Sequence, residues 1–235
     1  MIRAQTNKKG FTLLELLIVI TILSILTLVV VLFINPVELL KKARDVQRMS
    51  DLATAKSAIV LYLQNSASSN LGSTTYCGDG TLSDAALTGT SPRISIADTT
   101  PVTGATFTTG GIACATSGAY NAVLATNLYK NDGNGWIPYI NLTSFTSGAP
   151  IEKLPVDPVN TATAGSCGVD SYYYRYGCKT NNTFELDATL ESDTYKLGGT
   201  DSKVEKDGGN SEMRFEVGTD LNILPSSAPV GFSAL

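Results

Sequence analysis

Hydrophobic and polar positions divide the chain into three stretches of different periodicity. From Leu16 to Ile34 nineteen residues carry no charge, and the only polar side chains are the hydroxyls of Thr21, Ser24 and Thr27. At about 1.5 Å per residue, such a run covers the ~30 Å hydrocarbon core of a bilayer as one helix. Asn35-Pro36 then predicts a kink or local break, because proline lacks a backbone donor and its ring clashes with the preceding turn. From Val37 the pattern turns amphipathic. At about 100° per residue, Val46, Met49, Leu52, Ala53, Ile59, Val60 and Leu63 form an apolar stripe, interrupted by Asp45 and Lys56. Arg44, Gln47, Ser50, Asp51, Thr54 and Asn65 fall opposite, with Leu61 among them. The stripe predicts packing on the chain's own globular part, being too short and irregular for a coiled coil.

Residues 67–235 are rich in Gly, Ser, Thr, Asn and Tyr and carry short strand-like pieces at 93–97, 122–125, 171–176, 183–190 and 214–217. Phe184, Leu186, Ala188 and Leu190 alternate on one face, and the segment from Tyr172 to Cys178 reads as the antiparallel partner of that strand. The expected fold is α+β. A long N-terminal helix, membrane-spanning over about 13–34 and amphipathic over about 37–66, packs on a C-terminal antiparallel β-sheet domain with long loops between about 67 and 120. The domain organisation read from this pattern is a leader at 1–10, the helix at 11–66 and a globular β-rich ectodomain at 67–235.

Charge changes sign along the same boundary. Residues 1–66 hold eight Lys/Arg and four Asp/Glu, a net of +4, whereas 67–235 hold nine and seventeen, a net of −8. A basic membrane-proximal part suits anionic lipid headgroups. An acidic remainder without a basic aromatic stripe argues against nucleic acid as a partner. The chain has no histidine, so the commonest general base and metal ligand is absent. No phosphate-loop spacing and no nucleophile elbow occurs either, and the expectation is that the protein is not an enzyme.

The entry to the apolar run is its most specific part. Lys8-Lys9-Gly10-Phe11-Thr12-Leu13-Leu14-Glu15 places basic residues, a glycine and a single acid directly before the greasy segment. A secretory signal peptide has its cleavage site after the apolar core, and no good Ala-x-Ala-like site lies between Ser24 and Pro36. These residues resemble the class III leader and N-terminus of type IV pilins and type II secretion pseudopilins. The resemblance is close over residues 8 to about 66. It implies cleavage between Gly10 and Phe11 by a prepilin peptidase, N-methylation of Phe11, and a role for Glu15 in assembly. A new α-amine on Phe11 is mostly protonated near neutral pH, and Glu15, four residues on, can reach it on one helix face or reach that of a neighbouring subunit.

The function so implied is a structural subunit of a pilus or pseudopilus filament. Its partners would be copies of itself in a helical filament, the prepilin peptidase/methylase, an inner-membrane assembly platform, and membrane lipid before assembly. It would sit in the cytoplasmic membrane with its N-terminus in and C-terminus out, and then in a cell-surface or extracytoplasmic filament. The alternative is a single-pass anchored extracytoplasmic binding domain that never polymerises. Charge leaves orientation open, since Arg3, Lys8 and Lys9 precede the span and Lys41, Lys42, Arg44 and Arg48 follow it.

Cys77, Cys114, Cys167 and Cys178 all follow the span, without Cys-x-x-Cys spacing. Two disulfides in an exported domain are expected, most simply Cys77–Cys114 and Cys167–Cys178, although four cysteines allow three connectivities. Major pseudopilins often bind calcium in a C-terminal loop, and Asp201, Glu205, Asp207 and Asp220 would be oxygen donors there. Their spacing does not match an EF-hand, and the residues themselves read as solvated turns, so no metal site or cofactor is assigned. Lys153-Leu-Pro-Val-Asp-Pro resembles the proline- and aspartate-bearing loop before the final strands of many pseudopilin-like proteins, a rigid connector by its prolines.

Overall fold

A computed structural model describes residues 10–33, 35–65, 70–72, 77, 93–98, 121–161 and 171–224. Most of the expected long-loop region between 67 and 120, which holds Cys114, lies outside them, as does Cys167. The chain forms two compact units, one ending at Leu40 and the other beginning at Lys41.

The first unit contains α1 (Leu13–Phe33) and the start of α2 (Pro36–Asn65). Asn35 caps α2: its Oδ1 accepts the Glu38 N–H at 3.3 Å and its carbonyl accepts the Leu39 N–H at 3.2 Å. Pro36 is then the first residue of the new helix, where its missing donor costs nothing and its fixed φ suits the turn. The expected break is therefore a stop and a restart.

In the second unit, five strands form one sheet in the order β2-β1-β5-β6-β7: β1 (Arg93–Asp98), β2 (Asn121–Leu124), β5 (Tyr174–Cys178), β6 (Phe184–Thr189) and β7 (Arg214–Gly218). All pairs are antiparallel except β1 with β2, which is parallel. A separate hairpin, β3 (Asp132–Asn134) with β4 (Pro138–Asn141), was not foreseen in the sequence. The period-2 alternation sorts the sheet into two faces. Tyr174, Tyr176, Phe184, Leu186 and Ala188 join Leu52, Ala55, Ala58, Ile59 and Tyr62 of α2 in the core, where Trp136 is fully buried. Burying side chains of this size contributes about 1.5–3 kcal/mol each, so this contact holds α2 to the sheet.

The stripe that packs is rotated from the one the sequence suggests. Leu52 and Ile59 are buried as expected, but Val46 and Ala53 are exposed and Met49, Val60 and Leu63 only partly covered. The buried track runs Asp45, Arg48, Leu52, Ala55, Ile59, Tyr62 at spacings of three and four. It includes charges because they are paired. Arg48 donates to Asp157 from Nε at 2.6 Å and Nη2 at 2.9 Å, and to Asp45 from Nη1 at 2.8 Å. Its Nη2 also lies 2.5 Å from Glu191, which Arg44 grips as well. Asp45 in turn accepts the N–H groups of Glu191 and Ser192, both at 2.8 Å. Burial alone would raise the Glu191 carboxyl; its two arginines outweigh that and hold it below the usual range. Asp157 belongs to the Lys153–Pro158 connector, and Pro155 O accepts the Trp136 Nε1–H at 2.9 Å. The connector is thus pinned to α2 and to the hairpin.

The opposite sheet face carries Arg175, Glu185, Asp187, Arg214 and Glu216, all buried except the partly covered Arg214. Residues 190–213 and 219–224 supply its backbone partners, with the Ser211, Ile223 and Leu224 amides donating to Glu216 and Glu185.

The expected pairing Cys167–Cys178 is not what the fold makes. Cys178 bonds Cys77 across 101 residues, which also removes Cys77–Cys114. The short-loop pairing was the simplest in sequence, but Cys178 ends β5 on the core side, where Leu71 and Cys77 are also buried: Leu71 is fully buried and its N–H donates to Asn182 Oδ1 at 3.1 Å.

Candidate functional site

The residues that the sequence singles out at the N-terminus lie together at the start of α1. Gly10 and Phe11 precede the helix, and Phe11 is 83% exposed. A Cβ built on Gly10 would meet nothing within 4 Å, so the junction is sterically open.

Thr12 and Glu15 form a capping box. Thr12 Oγ1 accepts the Glu15 N–H at 3.2 Å, and Glu15 Oε2 accepts the Thr12 N–H at 3.2 Å and the Thr12 hydroxyl at 3.1 Å. Leu16 N then donates to Thr12 O at 3.3 Å, closing the first helical turn. The carboxylate satisfies orphan donors at the positive end of the helix. Thr-x-x-Glu before an apolar run is a sequence signature of this device, and it marks Thr12 as a site residue that the charge of Glu15 alone does not reveal. Since the box uses the N–H of Thr12, a cut between Gly10 and Phe11 leaves every atom of it in place.

From Leu13 to Val31 the helix is long and apolar enough to cross a bilayer, and none of that span is buried within the chain. Its three hydroxyls are satisfied internally: Thr21 donates to Ile18 O at 2.8 Å, Ser24 to Ile20 O and Thr27 to Leu23 O, both at 2.7 Å. None of these three hydroxyls then asks for water, which suits hydrocarbon or a sister helix equally.

The oxygen donors considered for calcium are not assembled into one set. Asp201 bridges Lys203 at 2.7 Å and Lys206 at 3.1 Å, Asp220 pairs with Lys179 at 2.6 Å, and Asp207 accepts backbone N–H groups of Gly209 and Glu216. Glu205 is exposed. Among the described residues, the acidic side chains that converge closely enough to share an ion are Glu185, Asp187 and Glu216, on the buried outer sheet face.

Residues 5–31 match the family model described as the prokaryotic N-terminal methylation motif. That match covers the segment in which the resemblance to the class III prepilin leader and N-terminus lies. No curated protein and no solved structure matches the chain.

Proposed function

We propose, from the prepilin-type N-terminus, that this chain is a structural subunit of a pilus or pseudopilus filament and not an enzyme. The observation that carries this reading is the methylation motif at 5–31 running into an apolar helix with no burial of its own. The peptidase removes residues 1–10, Phe11 becomes the methylated N-terminus, and α1 anchors the subunit in the cytoplasmic membrane, N-terminus inward. Delivered by the inner-membrane platform, it then transfers its apolar surface from lipid to the helices of sister subunits. The acidic, disulfide-bonded remainder is displayed outside, with no nucleic acid as a partner. The size of that remainder favours a pilin over a secretion pseudopilin.

Mass spectrometry of the mature chain tests the reading, since a filament subunit begins at N-methyl-Phe11. An intact Met1, or a cut beyond Ala43, would instead mark an anchored or released domain that does not polymerise. The role of Glu15 needs two variants, because capping and charge reside in the same side chain. Glu15→Val removes both; it should be processed but fail to assemble. Glu15→Gln keeps the capping box and removes only the charge. If it assembled at wild-type levels, Glu15 would act as a cap and not as the counter-charge of an amine.

A further inference from the structure

On the outer sheet face, one carboxylate oxygen from each of Glu185, Asp187 and Glu216 lies within 4.8 Å of the others. Neighbouring charges are unevenly shared. Asp187 is held by Arg175 and by Arg214 Nε at 2.7 Å, and these arginines outweigh burial and keep its carboxyl below the usual range. Arg214 also donates to Thr189 Oγ1 and Tyr173 O. Asp207 reaches Glu216 only through the Glu216 N–H, at 2.8 Å. Lys179, at the end of β5, is paired with Asp220.

Glu185 and Glu216 are each held at one oxygen. Glu185 Oε2 accepts the N–H groups of Ile223 and Leu224, both at 2.8 Å, and Glu216 Oε2 accepts the Ser211 N–H at 2.9 Å. The 207–211 loop closes tightly on this group, because a Cβ on Gly209 would stand 1.7 Å from Glu216 Oε2. The remaining oxygens, Glu185 Oε1 and Glu216 Oε1, are buried with no donor. The two carboxyls nevertheless lie close, each with an oxygen within 4.8 Å of one on the other. Two carboxylates this close out of water repel, and each keeps an unsatisfied oxygen. One proton between them removes both problems.

We propose that Glu185 and Glu216 share a single proton, carried on Glu185 Oε1 and donated to Glu216 Oε1, which gives each of these two buried oxygens a partner. Glu185 then presents a neutral carbonyl oxygen to the Ile223 and Leu224 amides, and Glu216 remains the anion facing Ser211. Burial, the hydrogen bond to Glu216 and the charge of Asp187 together push Glu185 up to about 9. Burial raises Glu216 too, while the hydrogen bond from Glu185 pulls it back. The proton belongs to the pair, which titrates as a unit. Its folded-state value lies above that of an unfolded glutamate, about 4.3. The folded chain therefore keeps a proton that the unfolded chain sheds. The stabilisation is full below pH about 4.3 and declines as pH rises toward about 9.

The test uses the full chain in detergent micelles. At pH 7 the infrared spectrum should show the carbonyl stretch of a buried protonated carboxylic acid. The band should vanish as pH passes about 9 and be missing from Glu185→Gln. In that variant the amide NH2 replaces the O–H donor and the amide oxygen still accepts the two N–H groups. In denaturant titrations between about pH 5 and 8, the wild-type unfolding constant should rise more steeply with pH than that of Glu185→Gln, by up to about tenfold per unit. A wild-type spectrum without the band, or equal slopes in the two proteins, would overturn the shared proton. So would a rise in wild-type stability on adding calcium, reversed by EDTA, because a cation would then occupy the gap.

Discussion

Arg48 shows how a single side chain decides which way a helix faces. It is fully buried and engages Asp45, Asp157 and Glu191, while its guanidinium carbon lies 4.9 Å over the Tyr172 ring. Removing one partner of a buried ion pair leaves uncompensated charge, which costs about 3–5 kcal/mol. Arg48→Ala should destabilise the chain by that amount, as read from denaturant unfolding followed by the fluorescence of Trp136, the one tryptophan. Arg44 reaches the same Glu191 from a side chain that is 35% exposed, where solvent screens the pair. Arg44→Ala should cost less than about 1 kcal/mol, since Glu191 keeps Arg48. Equal losses from the two substitutions would mean that the network acts as one unit. In the sequence Asp45 looked like an intruder in an apolar stripe and Arg48 was left off it. Nothing local in a helix reveals that two acids more than a hundred residues away, Asp157 and Glu191, will meet an arginine there.

At the scale of elements, legibility followed length and regularity. The five strands of the main sheet were visible as β-branched and aromatic runs, and Thr183–Leu190 announced its core face by alternation. The hairpin of β3 and β4 was not visible: Asp132-Gly-Asn-Gly reads as turn chemistry, and its register is irregular. Tyr139 there has φ of 70°, a conformation bulky residues seldom adopt, so no local preference foretold it. For α2 the helix was legible and its face was not. The apolar stripe gave weight to Val46 and Ala53, whereas the sheet approaches Ala55 and Ala58, small residues that permit close packing. A matched pair of substitutions reads this directly. Ala55→Leu forces added volume into a site that is 1% exposed and should cost about 1–3 kcal/mol. Ala53→Leu, on the exposed side, should stay within about 0.5 kcal/mol of wild type. The reverse order would restore the stripe read from sequence.

For the whole molecule, the cysteines connect what the chain separates. Cys77 comes shortly after α2, Cys178 ends β5, and their bond closes a loop of 101 residues that includes β1 and the β3–β4 hairpin. Sequence proximity favoured Cys77–Cys114 and Cys167–Cys178, but proximity along the chain says little once a sheet brings its edges and ends together. Trypsin separates the two arrangements cleanly. Without reduction, the folded pairing links peptide 57–93 to the short peptide 176–179, both bounded by Lys or Arg. The sequence-neighbour pairing would instead link 57–93 to 94–130, and 154–175 to 176–179. The 57–93/176–179 species is the expected one, and recovery of the other two would reject the fold's connection between α2 and β5. Loop closure of this length restricts the unfolded chain strongly. Cys77→Ser combined with Cys178→Ser should lower stability by about 2–5 kcal/mol, while α1 with its capping box, in the unit before Lys41, keeps every contact it has.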